Sequence, residues 1–377
     1  MIDESNPTSL PEHLAGGRLT IDLGALVANW RTLAAKVGLP VATSAVVKGD
    51  AYGIGLIEGG RALAAAGCDT FFVAVPEEGL RLRTALPSVT IYVLAGLIPG
   101  STGTLAAANL RPVLGSLPEI DEWIGARRAG ASTGAALHVD TGMNRLGLSL
   151  AETQALLAAP DRIAALAPSL LMSHLACADT PAHSLNARQL AAFRVVRTAL
   201  PAVPASLANS AGIFLGSDYH FDLARPGIAL YGAAFVEGRP PLKPVATLEA
   251  RVLQVRDVAI GDTVGYGAIE SRSAPARIAI LGVGYADGYH RGASSRDNHR
   301  GARAFVRGRP APLVGRVSMD LIAVDVTAIA GVERGDWVEL FGPNIAVDDV
   351  AAYAGTIGYE LLTGLGRRYA RRYVGGT

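Results

Sequence analysis

The chain has 377 residues, half of them hydrophobic, with 34 Lys+Arg against 33 Asp+Glu and a net charge of +1. That length exceeds one ordinary core, so two domains, or a large barrel with an addition, are expected, and the near-neutral balance argues against a general nucleic-acid binder. Two cysteines, Cys68 and Cys177, make no disulfide framework and suit a reducing compartment.

The opening MIDESNPTSLPEH is acidic and polar, without the apolar run of a signal peptide. No stretch of about 18 residues is apolar enough to span a bilayer. A cytoplasmic protein with no membrane partner is therefore expected.

Eight short apolar runs follow in chain order, at 41–48, 70–75, 90–95, 111–116, 135–140, 170–175, 204–209 and 221–225. Each has strand length, and Ala/Leu-rich stretches of helical spacing, such as 60–67 and 187–200, lie between them. Alternating strand and helix reads as a parallel sheet, and eight units close a (β/α)8 barrel of the TIM type. An open doubly wound sheet is the competing arrangement. After Gly238 the texture changes: Arg239-Pro240-Pro241 and Pro244 form a stiff linker. Val-, Ile- and Arg-rich segments then recur at 247–258, 278–283, 302–306, 313–317 and 321–326, broken by glycine turns. They predict a mostly antiparallel β domain, with helix returning only around 347–354. The α/β chain thus divides into a barrel over 18–238 and a β domain over 239–377, with residues 1–17 packing on the latter.

Several strand ends carry chemistry-bearing side chains. Lys48 closes the first run, in VVKGDAYG. A lysine there either emerges into solvent or is a desolvated amine with a lowered pKa, suited to a covalent imine. In a barrel the C-terminal ends of the strands hold the active site. Arg145, in HVDTGMNRLGL, suits a carboxylate or phenolate partner, or is a surface cation. His174 lies near the end of the sixth run, as a structural or a catalytic histidine. Asn209-Ser210-Ala211-Gly212 after the seventh run is a helix cap or a phosphate cradle, and Arg225-Pro226-Gly227-Ile228 closes the eighth. Loops after strands seven and eight are a frequent phosphate position in barrels, so the pair together favours a phosphate. In the β domain, Tyr266 and Tyr285 sit between small residues, as turn residues or as a general base near cations. No zinc pattern, P-loop or dinucleotide fingerprint is present in the sequence. The cluster Arg367, Arg368, Arg371 and Arg372 reads as a solvated face.

From Thr20 to Val374 these motifs, in this order and spacing, resemble the alanine racemases. The resemblance implies an N-terminal barrel that binds pyridoxal 5'-phosphate (PLP), a C-terminal β domain and a homodimer with shared sites. It implies that Lys48 holds PLP and that Arg145 contacts its phenolic oxygen. His174 would orient Arg225 toward the pyridine nitrogen. Tyr52, Ser210, Gly227, Ile228 and Tyr359 would hold the phosphate, with Asn209 beside them. Tyr266 would be the second catalytic base, Tyr285 a gatekeeper, and Met319 and Asp320 the strand end that positions the substrate carboxylate. The implied activity is interconversion of L- and D-alanine by two bases, Lys48 and Tyr266, supplying D-alanine for peptidoglycan.

Two positions depart from the family pattern: Ile54 stands where a histidine is common, and His138 stands where many members carry a carbamylated lysine. Histidine forms no such stable carbamate, so a charge orienting Arg145 must come from elsewhere, such as a bound anion, or be absent. A broader-specificity racemase, a related decarboxylase and a non-catalytic PLP-binding protein are the alternatives. The decarboxylase would need an acid at the ring nitrogen, where Arg225 stands. The carrier would lack the β domain.

Overall fold

A computed structural model describes residues 10–233 and 242–376. The expected linker at 239–241 lies outside the described residues.

Seven short strands make one parallel sheet in sequential order: Ala45–Val46, Thr70–Val73, Thr90–Val93, Arg111–Leu114, Ala136–His138, Leu170–Met172 and Ala205–Ser206. Their cores are apolar on both faces, as strands covered by helices outside and packed side chains inside must be. Phe71, Phe72, Val73, Ile91, Val93 and Leu114 are buried, and Phe72 stacks on Tyr92 with ring centroids 4.9 Å apart. The eighth expected run supplies Leu223–Ala224, which pairs in parallel with Ala42–Thr43. Backbone bonds from Arg225 N to Ala208 O (2.9 Å) and from Val46 N to Pro226 O (2.9 Å) join this piece to both ends of the sheet, curling it into the barrel. The run at 41–48 is therefore split in two. At the break, Ser44 is buried and bonds the Ala224 carbonyl through both its amide and its hydroxyl.

The second body is an eight-stranded sheet, antiparallel except where its first and last strands meet. Its spine is the 13-residue strand Ala246–Val258, which pairs with Ala276–Leu281 and Trp337–Phe341. The strand Gly17–Asp22 belongs here too: it pairs antiparallel with Ala246–Val258 and parallel with Tyr369–Val374. The barrel's first helix starts directly after it at Leu23, capped by the Asp22 carboxylate on Ala25 N at 2.8 Å. The N-terminal strand thus lies inside the range expected for the barrel yet completes the β sheet. Arg18 and Arg251 each stack on Trp337, at 4.4 and 4.2 Å from the ring centroid.

Helix returns at Val347–Ala354 as expected, and again at Gly358–Thr363, where it was not. Six residues are too few for helical periodicity to register. This short helix packs against the turn that follows Lys48. Among the described residues no helix is long and apolar enough to cross a membrane.

Candidate active site

Lys48 leaves the sheet at Ala45–Val46 and enters a left-handed turn. Gly49, Asp50, Ala51, Tyr52 and Gly53 have φ of 64, 55, 53, 53 and 82°. Three of these residues carry a Cβ, at about 1–2 kcal/mol each in this region, so the conformation persists only where its surroundings impose it. Ala51 N bonds Val47 O and Gly53 N bonds Gly49 O, both at 2.8 Å. The buried Glu78 carboxylate accepts from Gly49 N at 2.6 Å, Asp50 N at 3.1 Å and Ala74 N at 2.9 Å. Burial, with the Arg145 charge, holds the Lys48 amine below the usual lysine value, and Glu78 pulls it the other way.

Arg225 is buried at the end of the eighth run. Its guanidinium donates to Ser206 Oγ and, at 2.6 Å, to the Ser173 carbonyl, and lies 5.9 Å from the Phe72 ring centroid. Burial pulls it down to about 9, so it remains a cation at neutral pH. The hydrogen bonds that fix Arg225 among the described residues come from these two serines rather than from His174, the orienting group expected from the sequence. The strands place Ser173 and Ser206 at neighbouring strand ends, within hydrogen-bond reach of the guanidinium. His174 is half-buried. Burial, then the charges of Arg225, Arg145 and Lys48, hold it well below the usual histidine value. Burial and Arg225 likewise push His138 down to about 4. Arg145 is exposed at the tip of a loop shaped by Asp140, whose carboxylate accepts from Gly142, Met143 and Asn144 amides at 2.8, 2.9 and 2.8 Å. Gln189 clamps this loop to the next, donating to His174 O at 2.8 Å and Thr141 Oγ1 at 3.3 Å.

Small groups gather on the far side of the turn. Ser210 Oγ accepts from Gly227 N at 2.8 Å and Ala229 N at 3.3 Å. Asn209 instead ties its own loop, accepting from Gly212 N at 2.9 Å and donating to Leu175 O at 3.3 Å. Tyr52 stacks on Tyr231 at 4.5 Å and stands 6.0 Å from Tyr359, centroid to centroid. A Cβ on Gly227 would meet Tyr52 Oη at 2.5 Å, so only glycine leaves this cradle open. Ile228 follows in the same buried turn.

The remaining expected residues form a separate group in the β domain. Tyr285 N bonds Ser318 O at 3.0 Å and Ala286 N bonds Met319 O at 2.9 Å, which joins the two segments. Arg368 clamps them from outside, reaching Asp287 at 2.6 Å and Asp320 at 2.9 Å. It is a structural cation rather than part of a freely solvated face, because both carboxylates converge on it. Tyr266 is 70% exposed. Among the described residues, neither Tyr266, Tyr285, Met319 nor Asp320 bonds to the group around Lys48.

Models of the alanine racemase N-terminal and C-terminal domains match residues 21–234 and 245–373. The chain belongs to the alanine racemase family. An alanine racemase of Rhizobium meliloti is 50% identical over 376 residues, covering 97% of this chain and 99% of the relative. One from Methylobacterium nodulans is 51% identical over 96% of this chain and 97% of the relative. The fold matches the crystal structure of the Bartonella henselae alanine racemase, which has covalently bound pyridoxal phosphate. The TM-score is 0.90 at 42% identity, covering 96% of this chain and 100% of that one. The family is PLP-dependent.

The residues present fit that cofactor. A half-buried amine lies on one side of the turn. A glycine cradle lined by hydroxyls and amides lies on the other, and a buried guanidinium stands at the adjoining strand end. Sequence reasoning passed over Glu78, Ser173, Ser206 and Gln189. Only Glu78 left a trace, as an acid in the first turn of a helix after a strand, and that is an ordinary place for one.

Proposed function

We propose that this chain interconverts L- and D-alanine with PLP, with Lys48 and Tyr266 as the two bases, and so supplies D-alanine for peptidoglycan. The observation that carries the reading is a half-buried lysine with a lowered pKa and a buried arginine that has no acidic partner among the described residues, the charges of both acting on His174 between the strand ends.

Lys48 would hold the cofactor. Tyr52, Ser210, Tyr359 and the backbone at Gly227 and Ile228 would take its phosphate, with Asn209 fixing their loop. Arg145 would meet its phenolic oxygen and the substrate carboxylate, and Arg225 its ring nitrogen. Bound PLP supplies an electron sink that acidifies the Cα–H bond of an amino acid. The depressed pKa of Lys48 gives it more neutral amine at working pH, so it can accept a proton on one face of Cα. Tyr266 would return a proton on the other face. Arg225 is already charged and can only donate, so it cannot stabilise a proton on the ring nitrogen. That restraint favours returning the proton to Cα over side reactions, and disfavours the decarboxylase alternative.

Each site would be shared across a homodimer. A proton-transferring phenol that is 70% exposed in its own chain needs a covering partner, and Tyr266, Tyr285, Met319 and Asp320 would serve the partner's Lys48. The division between barrel and β domain would fall near 238/239, with the β side extended from residues 1–17 to Asp22, because the strand Gly17–Asp22 pairs with the β sheet. Two free cysteines, one buried, agree with a cytoplasmic location.

The test is borohydride reduction followed by peptide mapping, beside racemisation assays over a panel of amino acids. Pyridoxyl on Lys48 and a strong preference for alanine are expected. Pyridoxyl on another lysine, or faster turnover of several other amino acids, would overturn the assignment.

A further inference from the structure

We propose that Glu78 is a positioning residue for Lys48: its buried carboxylate locks the left-handed turn at 49–53 and so fixes the lysine relative to the cradle at Tyr52 and Gly227. This rests on the reading that Lys48 carries PLP.

A left-handed turn leaves its first amides without the carbonyl partners a strand or right-handed helix would give them. Gly49 N and Asp50 N make no backbone hydrogen bond among the described residues, and both converge on one oxygen of Glu78. The other oxygen is held by Ala74 N, four residues before Glu78 at the start of its own helix, Pro76–Ala85. The carboxylate is thus anchored at the exit of the strand Thr70–Val73 and grips the peptide plane next to Lys48. The turn it grips ends at Tyr52, whose hydroxyl lies against Gly227. One rigid segment therefore joins the amine to the phosphate cradle, and Glu78 sets its pitch.

The chain contains a second copy of this device. Glu119, in the first turn of Leu117–Arg128, accepts from Gly115 N, also four residues back, at 2.9 Å. It also takes Leu97 N at 3.0 Å, in the loop after the preceding strand. Each acid ties a strand's exit loop to the helix of the next unit. At Glu119 the gripped loop carries none of the candidate site residues, so it separates a general effect on barrel stability from an effect on Lys48.

The experiment compares the wild-type holoenzyme with Glu78→Gln, Glu78→Ala and Glu119→Gln. Glutamine keeps the volume and can still accept from Gly49 and Asp50, but its amide nitrogen then opposes Ala74 N–H; alanine removes every bond. Hydrogen exchange of the peptide at 45–56 should quicken in both Glu78 variants. Losing hydrogen bonds to a charged group should weaken PLP binding and lower kcat about tenfold in Glu78→Gln and about a hundredfold in Glu78→Ala, with KM within about twofold. Glu119→Gln should lower the melting temperature without changing the cofactor's absorbance or kcat. The proposal is overturned if Glu78→Gln matches wild type within about twofold in PLP affinity and kcat, or changes them no more than Glu119→Gln does. It is also overturned if Glu78→Gln fails to fold while Glu119→Gln folds, since the carboxylate would then serve the barrel alone. Wild-type protein that takes no pyridoxyl on Lys48 would instead sink the functional reading, and the exchange rates at 49–50 would still judge the lock.

Discussion

His138 stands where many family members carry a charged lysine derivative, and its surroundings make a measurable demand. Burial first, then the Arg225 charge, lower its pKa from 6.5 to about 4, against the weaker opposite pull of Asp140. A group whose folded pKa is depressed costs stability as pH falls below its unfolded value. At about pH 7.5 the imidazole is neutral in both states and costs almost nothing. At about pH 5 the unfolded chain binds a proton that the folded chain refuses, and linkage puts the loss near ~2 kcal/mol. Below about pH 4 the loss levels off, as the folded state takes up the proton too.

His138→Gln removes the titration while keeping a polar side chain. Urea unfolding at about pH 7.5 and about pH 5, at one protein concentration and PLP saturation, should show wild type losing ~2 kcal/mol more than the variant. His174 shifts the same way but is present in both proteins, so it cancels in the difference. Equal losses in the two proteins would refute the reasoning and mean that His138 is solvated or already charged in the fold.

Because His138 is a neutral imidazole rather than a lysine, racemisation should not depend on dissolved bicarbonate; a reversible loss of activity on stripping carbon dioxide would reveal a carbamate elsewhere. If each site draws on two chains, Lys48→Ala and Tyr266→Phe homodimers should both be nearly inactive. Subunit exchange between them should restore roughly a quarter of wild-type activity, since about half the dimers are mixed and each has one whole site of two. Verified exchange without recovery would place both bases in one chain or misassign one of them.

The barrel was legible because parallel strands buried on both faces appear as short apolar runs, and all eight runs became strands of the curled sheet or its closing piece. The strand Gly17–Asp22 was missed because its partners are Ala246–Val258 and Tyr369–Val374, more than 200 residues away, and no local pattern reports such pairing. At the site, Lys48 and Arg225 could be picked out because a charge at the end of an apolar run is conspicuous. What fixes Arg225 could not, because Ser173 and Ser206 are ordinary small residues until two strands bring them together. The left-handed turn was equally hidden: Asp50 tolerates positive φ, but Ala51 and Tyr52 disfavour it, and the turn's amides bonding to the distant Glu78 carboxylate hold it there.

The charges around Lys48 fit one kind of ligand. Lys48, Arg145 and Arg225 are cations or potential cations, and His138 and His174 are held neutral by burial beside them. Two carboxylates acting on this group are already engaged, Glu78 by three backbone amides and Asp140 by three others. Among the described residues no acid pairs with Arg145 or Arg225. A site that holds a buried Arg225 without an acid partner, with Lys48 and Arg145 nearby, must take its negative charge from what it binds. A phosphorylated cofactor and a substrate carboxylate meet that need, and a cationic or uncharged ligand does not. With Arg225 at the cofactor's ring nitrogen, as proposed, the same imbalance would deny that nitrogen an acidic partner, and the arrangement that attracts the ligand would also restrain its chemistry toward moving a proton off and onto Cα.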